Sequence, residues 1–151
     1  VTIYEYNTLK LNMNHIVTFR TFKEGDYDMC CDWWKWWWDG EIPVKRALLP
    51  DDKSCYVIES DGTPVAAGFL FTFENPLVGY GPTWVVSNPN YKEKNRRQML
   101  ELLISSIEKD AKETFGMVQL FTVCGNRFLQ DIHKKLDWFM MPAKYEAFKY
   151  L

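Results

Sequence analysis

Hydrophobic and polar residues alternate in patterns that predict strands and helices in turn along the first half of the chain. Alternation over residues 16–22 predicts a first strand, and residues 27–38 predict a helix. Asp61-Gly62 then separates two apolar runs, residues 54–60 and 63–74, which is a strong local signal for a β-hairpin. The segment of residues 40–52 between the helix and the hairpin is predicted to be a loop with a short helix.

The second half predicts a strand, a helix, a strand and a second helix. An apolar run at residues 79–87 is followed by a helix at 98–115, whose apolar residues recur every three or four positions. Residues 117–124 predict the next strand, and a helix runs from Gly125-Asn126 to about residue 136. Two strands joined by one helix are expected to be parallel neighbours, with the helix N-terminus at the carboxyl end of the first strand. Backbone N–H groups there can receive an anion.

These elements predict one α/β domain with a mixed, mainly antiparallel sheet and helices on both faces. Residues 138–141 and 144–151 are predicted to add two short strands. Residues 1–13 have no period and are interpreted as an N-terminal extension, so the domain is expected to cover residues 14–151.

The loop between the predicted fourth strand and its helix is strongly basic. It reads Lys92-Glu93-Lys94-Asn95-Arg96-Arg97 and follows an Asn-Pro-Asn turn. This order of elements resembles the acyl-CoA-binding half of the GNAT acyltransferase superfamily, whose loop reads Gln/Arg-x-x-Gly-x-Gly/Ala. Pro89 and Tyr91 fit that pattern, Lys92 stands in the Gln/Arg place, and Asn95 and Arg97 occupy the two glycine places.

A later pattern of the same superfamily, Asn-x-x-Ala-x-x-Leu-Tyr-x-x-Leu-Gly-Phe, keeps its spacing here while several identities differ. The matching positions are Asn126, Leu129, Ile132, His133, Leu136, Asp137 and Trp138. The resemblance implies that the parallel strands 4 and 5 splay apart at their carboxyl ends. It also implies an N-acetyltransferase that moves an acetyl group from acetyl-CoA to a primary amine.

The resemblance also assigns roles to residues. Cofactor contacts are expected from Val85, Val86, Ser87, Lys92, Lys94, Asn95, Arg96, Arg97 and Asn126. Positive charge would replace part of the usual glycine cradle, and Asn95 would take a left-handed conformation in place of glycine. His133 stands where the family commonly has a tyrosine acid, so it is expected to protonate the leaving thiolate. Glu74, and after it Glu41, are the candidates for the base.

The predicted first helix carries five of the seven tryptophans. Packing against the sheet explains one aromatic face, and the other is interpreted as a wall of the acceptor pocket. The resemblance places Trp34, Trp37, Trp38 and Glu41 on the acceptor side. Trp36 and Trp38 are the members most expected to face the surface.

Composition limits the other classes of function. A hydrophobic fraction of 47% with 25% charged residues is typical of a globular domain, and the net charge of −2 gives no overall attraction to nucleic acid or to an anionic membrane. The four cysteines form no CxxC pair, which favours reduced thiols in a cytoplasmic protein. With two histidines, a zinc site is not expected. No apolar run is long enough to predict a membrane span.

Two alternatives stay open beside acetyl transfer to a small amine or a protein amine. The chain could be a GNAT-shaped binding module that has lost CoA, as the absent loop glycines suggest. It could also modify a nucleobase, like the phage Mom-type proteins that resemble the same superfamily, with tryptophans stacking on a flipped base. Nucleic acid is the less favoured partner because of the net charge. A homodimer is compatible with the sequence.

Overall fold

The computed structural model describes residues 15–141, and in them five strands form one mixed sheet. The elements in chain order are β1 (Val17–Thr21), α1 (Asp26–Trp37), β2 (Cys55–Ser60), β3 (Thr63–Thr72), β4 (Val78–Ser87), α2 (Arg96–Glu113), β5 (Gln119–Phe121) and α3 (Arg127–Lys135). The strands lie side by side in sequence order. Every neighbouring pair is antiparallel except β4–β5, which is parallel. The predicted fold class is confirmed.

The sheet has a helical layer on each face, because successive strand residues point in opposite directions. On β2, Val57 packs in a core cluster with α1, whereas Tyr56 and Ile58 pack in a second cluster with α2. Ile132 of α3 belongs to the same cluster as α2. The prediction of helices on both faces is therefore confirmed.

The β2–β3 hairpin closes where the sequence predicts it. Asp61 and Gly62 have φ of 50° and 77°, and the flanking residues Ser60 and Thr63 are paired. Two successive left-handed residues form the type I′ turn that suits the twist of a two-residue hairpin, and Asp-Gly adopts it at little cost.

Strand β4 contains two one-residue register shifts against β3. The pairs are Ala67↔Val86, Phe69↔Thr83 and Phe71↔Tyr80, so β4 uses three residues where β3 uses two in each interval. Trp84, in the first interval, has φ of 50°. Such bulges bend a strand and re-aim its side chains, and the one that contains Trp84 lies in the half of β4 that leads to Ser87.

Two expectations about the end of the chain change. Strand β5 covers residues 119–121 and not the whole run 117–124, and residues 138–141 form no strand. Trp138 instead packs on the helices: its backbone N–H bonds the His133 carbonyl and its indole N–H bonds Glu108. The predicted strand at 144–151 and the extension at 1–13 lie outside the described residues.

Candidate active site

The parallel pair β4–β5 opens at its carboxyl end. Pairing stops at Tyr80–Phe121, and just beyond it the Thr122 hydroxyl donates to the Pro82 carbonyl. β4 then continues to Ser87, and on this side it has no strand beside it in the part of the chain that the structure describes. We call this opening the β4–β5 cleft.

Helix α2 begins one short loop after the end of β4. Its first α-helical bond runs from the Met99 N–H to the Asn95 carbonyl at 2.9 Å. The N–H groups of Arg97 and Gln98 precede that bond, so they belong to the first turn, where a helix lacks internal acceptors. The positive end of the helix dipole lies in this turn as well, and both features favour an anionic ligand.

Asn95 does not act as a glycine substitute. Its φ is −82°, so the expected left-handed conformation is wrong. The residue is 3% exposed, and its side-chain oxygen accepts a hydrogen bond from the Tyr91 hydroxyl at 2.7 Å. This internal bond fixes the loop to the start of α2, which explains the residue without a ligand.

Arg96, Trp37 and Ser87 form one contact cluster at the end of β4. The Arg96 guanidinium lies 5.0 Å from the centre of the Trp37 ring and donates to the Ser87 hydroxyl at 2.5 Å. The Trp37 indole N–H donates to the Ser87 carbonyl at 2.8 Å. Partial burial lowers the pKa of Arg96, although a guanidinium keeps its charge at neutral pH. The cluster joins two predicted cofactor residues, Arg96 and Ser87, to a predicted acceptor residue, Trp37.

Arg97 lies on the other side of the same helix end, toward α3. Its guanidinium is 5.6 Å from the centre of the Phe128 ring, and its Nε is 3.4 Å from Glu101. Lys92 and Lys94 are exposed on the preceding loop. The two arginines therefore flank the first turn of α2, Arg96 on the β4 side and Arg97 on the α3 side.

The predicted acceptor tryptophans separate into two groups. Trp34 is 1% exposed and packs on Phe69 and Tyr27, so it belongs to the core and not to an open surface. Trp37 and Trp38 are 47% and 49% exposed. The Trp38 ring lies 6.3 Å from that of Trp84, with an angle of 55° between the ring planes. Trp36 is exposed as well, so the two residues expected at the surface are there.

His133 is buried beside the end of β5. It is 1% exposed, and its ring packs edge-on against Trp138. Nδ1 lies 2.8 Å from the Leu129 carbonyl and 3.3 Å from the Cys124 sulfur. Because a carbonyl only accepts, Nδ1 carries a proton, and Nε2 has no partner among the described residues. Burial lowers the pKa of His133, so the neutral ring is favoured.

The remaining predicted residues are dispersed. Glu74 is exposed in the turn between β3 and β4, at the opposite end of β4 from Ser87, so the structure does not bring it to the cleft. Glu41 is exposed on the turn after α1, and its N–H bonds the Trp38 carbonyl at 3.0 Å. Asn126 caps α3 by accepting from the Leu129 N–H at 2.9 Å.

The two predicted cofactor valines differ in their surroundings. Val86 is 4% exposed and lies in the core cluster with α1. Val85 is partly buried and packs against the cluster on the α2 side. Their side chains pack in the core, so any contact with a cofactor would come from their backbone.

Sequence reasoning missed two aromatic residues of this region, Trp84 and Phe128. Trp84 reaches Trp38 from a bulged position on β4, and Phe128 lies under Arg97 from the first turn of α3. Neither contact has a local signal, because each joins residues distant in sequence. No group of histidine, cysteine or acidic residues suited to a metal ion occurs within residues 15–141. None of the helices in that range has the length and apolar character needed to cross a membrane.

Comparison with known proteins identifies the fold through solved structures alone. No protein-family model matches the sequence, and no curated protein matches it. Solved structures do match. A putative acetyltransferase from Agrobacterium tumefaciens is 9% identical, with a TM-score of 0.56 and coverage of 87% of this chain and 99% of that one. A possible acetyltransferase from Clostridium difficile is 12% identical, with a TM-score of 0.60 and coverage of 89% and 98%.

A third neighbour is AAC(6')-Iy in complex with a bisubstrate analogue, CoA-S-monomethyl-acetylneamine. It is 14% identical, has a TM-score of 0.59, and the match covers 89% of this chain and 99% of that chain. At these identities the likeness establishes the fold. The chain has the fold of the GNAT acetyltransferases, as its strand order and parallel β4–β5 pair also indicate.

Proposed function

We propose that this protein transfers an acetyl group from acetyl-CoA to a primary amine in the β4–β5 cleft. The observation that carries the proposal is the position of the basic first turn of α2 at the open end of the parallel pair. The neighbour AAC(6')-Iy is named as a complex with a CoA-containing bisubstrate analogue. In the reaction the amine nitrogen attacks the thioester carbonyl, the carbon–sulfur bond breaks, the nitrogen releases one proton to solvent, and the CoA thiolate takes up a proton.

The pyrophosphate of CoA would bind at residues 92–97. Arg97 and the lysines of the loop supply positive charge, and the N–H groups of the first turn of α2 supply donors. Arg97 is the best residue to test, because it is exposed and its Glu101 contact of 3.4 Å is long. Arg96 is already held by Ser87 and Trp37, so its substitution would also disturb the fold locally.

His133 is our proposed proton donor to the leaving thiolate. It lies near the end of β5, 3.3 Å from Cys124. Since Nδ1–H already bonds the Leu129 carbonyl, the proton would have to leave from Nε2 of the protonated ring. This role therefore predicts that turnover falls as the pH rises through the lowered pKa of His133.

Titration calorimetry with CoA tests the cofactor site. We expect Arg97→Ala to weaken binding by about tenfold, since a charge-assisted contact to phosphate contributes about 1.5–3 kcal/mol in favourable geometry. Lys112→Ala is the control, because it removes the same charge from the last turn of α2. Binding of the wild type should also weaken as salt is added. Unchanged affinity in Arg97→Ala would contradict this site.

The second candidate is a GNAT-shaped binding module without CoA. One observation favours it. The Ser87 carbonyl accepts a hydrogen bond from the Trp37 indole, and the Ser87 hydroxyl accepts one from the Arg96 guanidinium, so both oxygens are already bonded where a cofactor would be expected to bind. The same calorimetry separates the two functions, since a module of this kind would give no heat with CoA in the wild type.

A further inference from the structure

The acceptor side of the cleft combines tryptophan faces with carboxylates. Trp38 is 49% exposed, and Trp84 from β4 packs against it. Asp39 and Glu41 are exposed on the turn that follows Trp38, and the turn is closed by the bond from the Glu41 N–H to the Trp38 carbonyl. Neither carboxylate has an ion-pair partner within residues 15–141. We call Trp38, Trp84, Asp39 and Glu41 the acceptor patch.

From this patch we infer that the acceptor is a cationic amine, one that carries a second, permanently positive group besides the amine that is acetylated. This inference rests on the proposed function and specifies its substrate class. A cation is attracted to the face of an indole ring, and unpaired carboxylates nearby add to the attraction. An uncharged apolar acceptor would gain little here, because Trp38 is half-exposed and Trp84 is packed against the core, so the two rings do not enclose a ligand within residues 15–141.

The geometry disfavours a flat, negatively charged acceptor such as a nucleotide. A base that stacks between two rings needs roughly parallel planes, whereas the planes of Trp38 and Trp84 meet at 55° with 6.3 Å between their centres. Phosphate would also approach Asp39 and Glu41, which repel it. A cation over one ring face, beside a carboxylate, meets neither obstacle.

The position of the patch links it to the reaction. Trp37, the residue before Trp38, bonds Ser87 at the end of β4, and Trp84 lies three residues before Ser87. A small diamine could therefore place its cationic group on the patch while its primary amine reaches the cleft. Trp36, at 64% exposure, is two residues before Trp38 and makes no ring contact within the described part of the chain, so it provides a matched control.

Two probes of nearly equal shape test the inference: (2-aminoethyl)trimethylammonium, and 3,3-dimethylbutylamine, in which a neutral tert-butyl group replaces the trimethylammonium group. Because the two primary amines differ in pKa, rates are compared at equal concentrations of the unprotonated amine. Each is assayed with acetyl-CoA for free-thiol release, and each is titrated by calorimetry into the CoA-saturated protein. We expect kcat/KM and affinity to favour the cationic probe by about tenfold, since a cation over a tryptophan face contributes a factor of this order. Trp38→Leu and Glu41→Gln should each reduce that ratio, and Trp36→Leu should not.

The experiment separates failure of this inference about the acceptor from failure of acetyl transfer itself. Thiol release with equal kcat/KM for both probes would leave acetyl transfer intact and overturn the cationic acceptor. The opposite preference, or tighter binding of a single-stranded oligonucleotide than of either probe, would overturn it too. If CoA does not bind, acetyl transfer fails, and calorimetry of the two probes with the CoA-free protein still decides whether the patch selects a cation.

Discussion

The indole N–H of Trp37 donates to the main-chain carbonyl of Ser87 at 2.8 Å. This bond joins the last turn of the first helix to the last residue of β4, and Arg96 contacts both residues from the start of α2. The end of α1 and the start of α2 are thus held at one residue of the sheet. A substitution at Ser87 or Trp37 should therefore affect the positions of both helices.

Trp37→Phe tests how much this bond contributes to the fold. The variant keeps an aromatic ring for Arg96 and removes the N–H donor. We expect a loss of about 0.5–1 kcal/mol in the free energy of unfolding, the lower part of the usual range because the site is half-exposed. For a domain of this size that corresponds to a drop in Tm of about 1–4 °C. Trp36→Phe, at a position whose indole makes no such bond to residues 15–141, should melt like the wild type; equal losses in both would contradict the role of the bond.

Gly81→Ala tests the close packing of β4 on β3. A Cβ at position 81 would lie 2.5 Å from the Phe69 carbonyl oxygen and 3.0 Å from the Leu70 Cα, so backbone would have to move. We expect a loss of about 1–3 kcal/mol, the usual cost of overpacking, measured by urea unfolding. A Cβ at Gly125 would meet nothing within 4 Å, so Gly125→Ala is the control. If both variants were equally stable, the described approach of the two strands would be wrong.

The burial of His133 predicts an acid-sensitive contribution to stability. Burial lowers the pKa of the folded ring, so below the ordinary value of about 6.5 the unfolded chain binds the proton more readily. The contribution is fully present above that value and is lost as the pH falls through it toward the lowered pKa. Urea unfolding at pH 7.5 and 5.5 should show this loss in the wild type and less of it in His133→Phe.

The same loss of stability on acidification in His133→Phe as in the wild type would mean that the ring of His133 is not buried as described.

The catalytic role of His133 needs a separate measurement, because burial alone explains a structural histidine. His133→Phe keeps the ring volume and removes the proton, so turnover should fall by roughly ten- to ten-thousand-fold while the protein still folds. His133→Tyr should recover part of the rate, since a phenol can also donate a proton. Equal thiol release by the wild type and His133→Phe would show that the residue is structural.

Local signals made most of the fold predictable. The Asp61-Gly62 turn, the helical spacing from residue 98 to 115 and the Asn126 cap each act within a few residues, and each is found in the structure. Strand lengths were less predictable, since an apolar run by itself determines neither burial nor pairing; Val118 and Val123, for example, are exposed. The run at 117–124 shows this, because its paired part ends at Phe121.

The sequence predicted which helices and strands form the candidate site, but it did not predict the contacts between their side chains. The sequence brought residues 92–97 to the start of α2, whereas the Trp37–Ser87 bond joins residues 50 apart and has no local signal. The prediction for Asn95 was wrong for a physical reason. Asparagine suits a left-handed turn, but here its side chain accepts a buried hydrogen bond from Tyr91 and its φ is −82°. Glu74 is close in sequence to β4, but it lies at the opposite end of that strand from the cleft.

Acetyl transfer itself is tested most directly by incubating the protein with acetyl-CoA and a panel of primary amines, and measuring free thiol together with the mass of each amine. The account predicts that thiol is released in step with an acetylated amine, and that Arg97→Ala raises the concentration of acetyl-CoA needed. An absence of acetylated product across the panel, together with no calorimetric binding of CoA, would contradict it.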